Sequence, residues 1–142
     1  MLFRSAVVAS AGTFGYELDL TKCSSEQLDM VSEQIDEYRR IAPLMQNGDY
    51  YRLIPPSDPR RITAWEYVSK DQSQVLMQAV IVRAQANPIA HRVYLRGLDE
   101  KAHYREKTSG NVYTGAALMH AGLPLPQVMG DFQPASFWFE RA

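Results

Sequence analysis

Apolar residues between Ser24 and Gln46 recur at spacings of three and four: Leu28, Val31, Ile35, Tyr38, Ala42 and Met45. That rhythm puts them on one face of an α-helix. Asp29, Glu33, Asp36, Glu37, Arg39 and Arg40 fall mostly on the other side. Ser24 is placed as the N-cap, its hydroxyl accepting the Gln27 amide while the Gln27 side chain reaches back, and Cys23 and Leu28 occupy the positions of a hydrophobic staple. Pro43 removes a hydrogen bond and should bend or end the regular part. Asn47-Gly48 supplies the stop.

On either side of this helix the pattern differs. Ala6 to Ala9 is a short apolar run that reads as a buried strand, and the glycines of Gly12-Thr13-Phe14-Gly15 mark a tight or crowded loop after it. Beyond Gly48 the strand period takes over. Tyr50 to Ile54 reads as a strand stopped by Pro55-Pro56-Ser57-Asp58-Pro59. Ile62 to Val68 and Gln74 to Arg83, rich in Val, Ile, Trp and Tyr, read as a hairpin turning at Ser69-Lys70-Asp71-Gln72. Arg92 to Leu95 and His103 to Glu106 follow, joined by Arg96-Gly97-Leu98-Asp99, then Val112-Tyr113. Thr114 is placed to cap a short helix through Ala121 that Gly122 ends, and Ala135 to Glu140 is the last strand. The fold class this predicts is mainly β: an antiparallel, Greek-key-like β-sandwich preceded by one strand and one long helix. The helix has a wider apolar face than one sandwich edge needs, which points to a further layer for it to lean on.

Composition narrows the function. Of 142 residues, 46% are hydrophobic and 22% charged, the balance of an ordinary globular domain with a real core. The net charge is -1 and no basic run exceeds Arg39-Arg40 or Arg60-Arg61, so nucleic acid is not expected as a partner. Cys23 is the one cysteine. It rules out an internal disulfide or a cysteine metal site and reads as a packing residue. No segment approaches about 18 consecutive apolar residues, so no membrane helix is expected. The first nine residues are too short a match for a signal peptide. A soluble, cytoplasmic protein is the expectation.

Several stretches resemble a known family. Gly12-Thr13-Phe14-Gly15-Tyr16-Glu17-Leu18-Asp19-Leu20-Thr21-Lys22 is similar to the segment closing the catalytic barrel of α-galactosidases of glycoside hydrolase family 36. Glu33-Gln34-Ile35, Tyr38 and Ile41-Ala42-Pro43-Leu44-Met45-Gln46 resemble that family's last barrel helix. Gly48-Asp49-Tyr50-Tyr51-Arg52-Leu53 resembles the entry into its C-terminal domain, and Gly122-Leu123-Pro124-Leu125-Pro126 with Gly130-Asp131-Phe132-Gln133 its closing signature. Leu2-Phe3-Arg4 departs from the family pattern, and Cys23 stands where a larger aliphatic is common.

The resemblance implies that residues 1–47 are the last strand and helix of a (β/α)8 barrel and residues 48–142 a C-terminal antiparallel β-sandwich. It implies a retaining enzyme that releases terminal α-linked galactose, with two aspartates on opposite sides of the scissile bond. Both would lie upstream of this chain, so no catalytic residue is assigned here, and no cofactor or metal. The implied partners are the remainder of the parent enzyme and, in the full-length protein only, the α-galactoside; the parent is expected to be a homo-oligomer. The other reading is a non-catalytic carbohydrate-binding or oligomerisation module.

Some residues invite chemistry nonetheless. Glu17 and Asp19 form an acid pair after the expected barrel strand, where such barrels gather their active sites. We read them instead as carboxylates that cap local amides and pair with Lys22. His91, His103 and His120 lack the close Asp, Glu or Cys spacing of a ligand set. Asp49 and Asp131 each sit between a glycine and an aromatic, as at a turn entering a strand. Trp65, Tyr67, Trp138, Tyr50, Tyr51 and Tyr94 could stack on sugar faces, but aromatics alternating along strands also fill a sandwich core. Trp65 and Tyr67 share one face, as do Phe137 and Phe139, with Trp138 on the opposite one. The Leu123–Pro126 stretch reads as rigid and extended along a neighbouring surface.

Overall fold

A computed structural model describes residues 7–12, 14–84 and 90–142 of the chain. The expected 23-residue helix, α1 (Ser25–Asn47), is present, with a 3-10 turn at Leu20–Lys22 before it. Its cap is the predicted reciprocal pair: the Gln27 amide donates to Ser24 Oγ at 3.3 Å, and the Ser24 amide donates to Gln27 Oε1 at 2.9 Å. Pro43 does not end it. The missing N–H falls in the last turns, where the helix runs on to Asn47, whose side-chain amide donates to the Pro43 carbonyl at 2.9 Å. Gly48 stops the helix because there is no room for anything larger: a Cβ there would lie 2.8 Å from the Val68 carbonyl oxygen and closer still to that of Leu44.

The strands are β1 (Asp49–Ile54), β2 (Ile62–Val68), β3 (Gln74–Ile81), β4 (Arg92–Val93), β5 (His103–Glu106), β6 (Val112–Thr114), β7 (Leu123–Pro124) and β8 (Gln133–Arg141). Six form one antiparallel sheet in the order β1-β2-β3-β8-β5-β6, and β4 pairs with β7 in a second, smaller sheet. The mainly β, antiparallel class is therefore the one the pattern predicts. The β2–β3 hairpin forms in the expected place, running from Val68↔Val75 to Ile62↔Ile81. Asp71 locks its turn by accepting from Ser69 Oγ at 2.6 Å and Ser73 Oγ at 2.8 Å, bonds that hold its carboxyl down at about 2.

The central strands β2 and β3 are buried almost throughout, because the six-stranded sheet is covered on both faces. One face packs Ala64, Val75, Met77 and Phe139 against Val93, Leu95, Leu118 and Leu123 from the second layer. The other packs Trp65, Tyr67, Leu76 and Val80 against Ile41 and Leu44 of α1. Thus the last turns of the helix belong to this chain's own core. Its beginning does so only in part: Val31 is buried, but Leu28 is 39% and Met30 41% exposed.

Four expectations are corrected. Residues 7–9 form a helical turn, not a strand; Ala6 and Thr13 lie outside the described residues, as do residues 2–4. A strand needs a neighbouring edge, and here the carbonyls are met locally, by Ala11 N to Val8 O and Gly12 N to Ala9 O, each at 3.2 Å. β3 ends at Ile81 rather than Arg83: Val82 still bonds to Arg61 and Phe132 on its two sides, but both of those residues have positive φ (57° and 55°) and carry the flanking strands out of the ladder. β4 is shorter than Arg92–Leu95, since the chain opposite Tyr94 and Leu95 is the end of a π-helical turn, and the Leu95 amide goes to the Leu118 carbonyl at 3.2 Å. Finally, Leu123–Pro126 lies in this chain's own core: Leu123 and Leu125 point inward and the prolines outward, with the Leu125 amide bonded to the His91 carbonyl at 2.8 Å. The short helix after Thr114 is a π-helical turn, Ala117–Ala121, whose Ala117 amide donates to Thr114 Oγ1 at 3.1 Å.

Candidate functional site

Glu17 and Asp19 both lie exposed in the segment leading to α1. Asp19 is engaged locally. Its Oδ1 accepts from Thr21 Oγ1 at 2.6 Å and from the Thr21 amide at 3.2 Å, and its other oxygen meets Lys22 Nζ at 3.1 Å. The Thr21 and Lys22 bonds hold its carboxyl below the usual value, which favours the charged form over any role as an acid. Lys22 is thus its partner, as the spacing suggests. The Cys23 thiol points back to the Asp19 carbonyl at 3.7 Å.

The other titratable candidates are scattered. His120 Nε2 sits 3.0 Å from Glu100 Oε1 at the surface, His103 is exposed on β5, and His91 lies near the Asp58–Arg60 pair. Asp49 pairs with Lys70, and Asp131 accepts from the Ala84 amide at 2.8 Å, tying β8's entry to the end of β3. Among the described residues no group of three or more His, Cys, Asp or Glu could hold a metal ion. No helix among them is long and apolar enough to cross a membrane.

The aromatics divide into two sets. Trp65 and Tyr67 are buried and anchor the leading segment to the sheet. Trp65 Nε1 donates to Gln78 Oε1 at 3.0 Å, Gln78 Nε2 reaches Ser10 Oγ at 3.3 Å, and the Tyr67 hydroxyl donates to the Ala11 carbonyl at 2.9 Å. Tyr51 is part-buried beneath Gly97. Tyr50 and Tyr94 alone of the six stand half-exposed. Trp138 is part-buried, with Lys107 Nζ 4.4 Å above its ring. Beside it runs an open groove of about 420 Å³, lined by Glu37 and Arg40 of α1 together with Lys107, Thr108 and Trp138. A second, of about 390 Å³, is lined by Tyr50, Arg52, Pro56, Trp65 and Tyr67. Both open on the helix side of the sheet, so that face is covered only in part.

Two carboxylates that periodicity passes over are buried. Glu106 accepts from the Thr108 amide at 3.0 Å and the Ser109 amide at 2.5 Å. Burial pushes its carboxyl up, but those bonds outweigh it and leave it below the ordinary value. Glu66, in the middle of β2, is wholly buried, and burial raises its carboxyl to about 8. The available signal was a single acid inside an otherwise apolar strand. Neither is paired with a second carboxyl across an open cleft, as glycoside hydrolysis requires.

The sequence profile of the glycosyl hydrolase family 36 C-terminal domain matches residues 62–139. The chain is 43% identical over 133 residues to the bifunctional alpha-galactosidase/sucrose kinase AgaSK of Mediterraneibacter gnavus, covering 94% of this chain and 14% of that protein. It is 39% identical over 125 residues to alpha-galactosidase AgaA of Geobacillus stearothermophilus, covering 88% of this chain and 17% of that one. In the crystal structure of GH36 AgaA the similarity extends over 100% of this chain and 20% of the solved one, with a TM-score of 0.93 and 35% identity. The helix and its leading segment are therefore shared along with the sheets, and the chain spans less than a quarter of each of these relatives. On both sequence and structure, this chain belongs to glycosyl hydrolase family 36 and corresponds to a C-terminal portion of its members, with the C-terminal domain profile at residues 62–139.

Proposed function

We propose that this chain is the C-terminal part of an α-galactosidase, in which it completes and braces the catalytic barrel without contributing to the chemistry. Residues 1–47 would close the (β/α)8 barrel and residues 48–142 would pack as a sandwich against its side. The attacking aspartate and the acid/base aspartate of a retaining mechanism would both come from the remainder of the enzyme, with the terminal α-linked galactose of a melibiose- or raffinose-type oligosaccharide as substrate. The observation that carries this reading is α1 itself. Its second half is embedded in this chain's sheet through Ile41 and Leu44, while in its first half Val31 is buried but Leu28, on the same stripe, is 39% exposed and open to neighbouring barrel helices. A cytoplasmic location accords with the lone, unpaired Cys23, and assembly of the parent into a homo-oligomer completes the proposal.

A free-standing sugar-binding module is the other reading, and the exposed Tyr50 and Tyr94 are what favour it. Against it, Trp65 is only 9% exposed and already hydrogen-bonded, and Lys107 lies over the Trp138 ring. The purified chain is expected to release no nitrophenol from a nitrophenyl α-galactoside above background, and its tryptophan fluorescence should stay flat as galactose or raffinose is added. Turnover would overturn the structural role outright. A saturating fluorescence change would favour the module.

A further inference from the structure

Glu66 occupies a place no solvated acid would choose. On β2 it stands opposite Tyr51 of β1 and Met77 of β3. It is 0% exposed. Oε1 accepts from the Arg96 amide at 2.6 Å, while Oε2 is buried with no partner among the described residues. A carboxylate there would hold its charge on a single backbone hydrogen bond in apolar surroundings. The neutral acid keeps an acceptor for the same bond and buries no charge.

What that bond holds is the crossover that leads from β4 to β5. Leu95 and Leu98 are buried plugs in the core on either side of it. Two further side chains from the sheet grip the same stretch: Gln72 Nε2 donates to the Gly97 carbonyl at 2.9 Å, and the Asp99 amide donates to the Tyr104 hydroxyl at 3.1 Å. Gly97 adopts a φ of +69° against the Tyr51 ring, where a Cβ would come within 2.8 Å of ring carbons. The crossover is thus shaped to its seat, and Glu66 is the titratable member of the set that holds it.

We propose that Glu66 is a proton-dependent latch, seating the Leu95–Asp99 crossover on the sheet while its carboxyl is neutral and releasing it on ionisation. Few charges oppose this. From the crossover, Arg96 faces Glu66 with its amide and its positive charge; from β1 comes the Tyr51 phenol, from β3 the uncharged Met77, and on its own strand Ala64 and Val68 share its face. Burial dominates and raises the carboxyl from 4.5 to about 8, against the smaller opposing pull of the Arg96 amide and charge. An acid whose folded value lies above its unfolded value contributes its full stability below about 4.5 and loses it as pH rises through about 8. Tyr94 and Arg96, both exposed, would move with the crossover, so the latch governs that outer surface. The inference is independent of the role proposed for the chain in its parent enzyme.

Amide hydrogen exchange on the 142-residue chain, corrected for intrinsic rates, tests it at Arg96 and Gly97. Between pH 6 and pH 9 the opening equilibrium of the crossover should rise by roughly 100-fold, the factor for a group moving between about 8 when closed and 4.5 when open. Glu66→Gln keeps an acceptor for the Arg96 amide and has no proton to lose, so its protection should be flat over that range. Parallel pH profiles for wild type and Glu66→Gln would overturn the latch. If the variant does not fold, a carbon-13 carboxyl titration of the wild-type chain decides instead. A Glu66 midpoint near 8 is expected, and one near 4.5 would overturn it.

Discussion

Replacing Phe139 with alanine is expected to destabilise the chain by about 3–5 kcal/mol, the largest effect of any single core truncation here. Phe139 is 0% exposed and sits on β8 between Val75 of β3 and Glu106 of β5. Its ring meets Tyr113 edge-on, with centroids 6.1 Å apart at 80°, and lies nearly parallel to Phe137 at 6.5 Å. Aromatic pairs of this kind contribute beyond their buried area. The site is walled by strands on both sides, so it cannot collapse around the smaller residue. Against a total stability on the order of 5–15 kcal/mol, such a loss should lower the thermal midpoint by on the order of 10 °C or more. Phe139→Leu, which refills most of the volume, should cost about 1 kcal/mol. Phe132→Ala, at a ring 57% exposed, should stay within about 0.5 kcal/mol. Urea unfolding of the three variants checks the ranking. A Phe139→Ala cost similar to that of Phe132→Ala would mean that the two layers are not packed together at β8.

Gly115→Ala should be nearly as damaging, by overpacking. A Cβ at Gly115 would overlap the Asp99 carbonyl oxygen, lie 2.8 Å from the Asp99 carbonyl carbon and stand 3.2 Å from the Tyr104 ring. The first two atoms are backbone, so no rotamer change relieves the clash. Nor can the two segments draw apart easily. The Gly115 amide donates to the Ala102 carbonyl at 2.9 Å and the Ala116 amide to the Glu100 carbonyl at 3.0 Å, while Arg141 Nη2 holds Asp99 Oδ2 at 2.9 Å. The cost expected is about 3 kcal/mol. Gly110→Ala makes the comparison informative. Nothing lies within 4 Å of its Cβ position, and only its φ of +74° is unfavourable, so about 1 kcal/mol is expected. If Gly115→Ala cost no more than Gly110→Ala, the contact with Asp99 would not be the obstacle, since Gly115 lies outside the positive-φ region.

Much of this architecture could be read from residue order because its determinants are local. The capping box at Ser24 needs only two side chains three residues apart, and the β2–β3 hairpin only a polar turn between two runs rich in β-formers. Most failures of sequence reading trace to a partner far along the chain, though the first does not. Residues 7–9 look like a strand, but their carbonyls are met within their own turn. Leu123–Pro126 looks like a surface strap until Leu123 and Leu125 are seen to fill the core beneath β4. Glu66 shows in the sequence only as a single acid in an apolar strand, and such an acid is ordinarily assumed to face water; the Arg96 amide above it and the two-sided cover of β2 reveal its burial. The acid pair Glu17 and Asp19 shows the reverse, since the Lys22 and Thr21 partners of Asp19 lie within three residues of it.

The structural role is tested most directly in a relative whose catalytic part is in hand. Removing from the Geobacillus stearothermophilus AgaA enzyme the portion that superposes on this chain should abolish hydrolysis of an α-galactoside, and grafting this chain in its place should bring hydrolysis back. A truncated enzyme that still turned over substrate at the intact enzyme's rate would contradict the account.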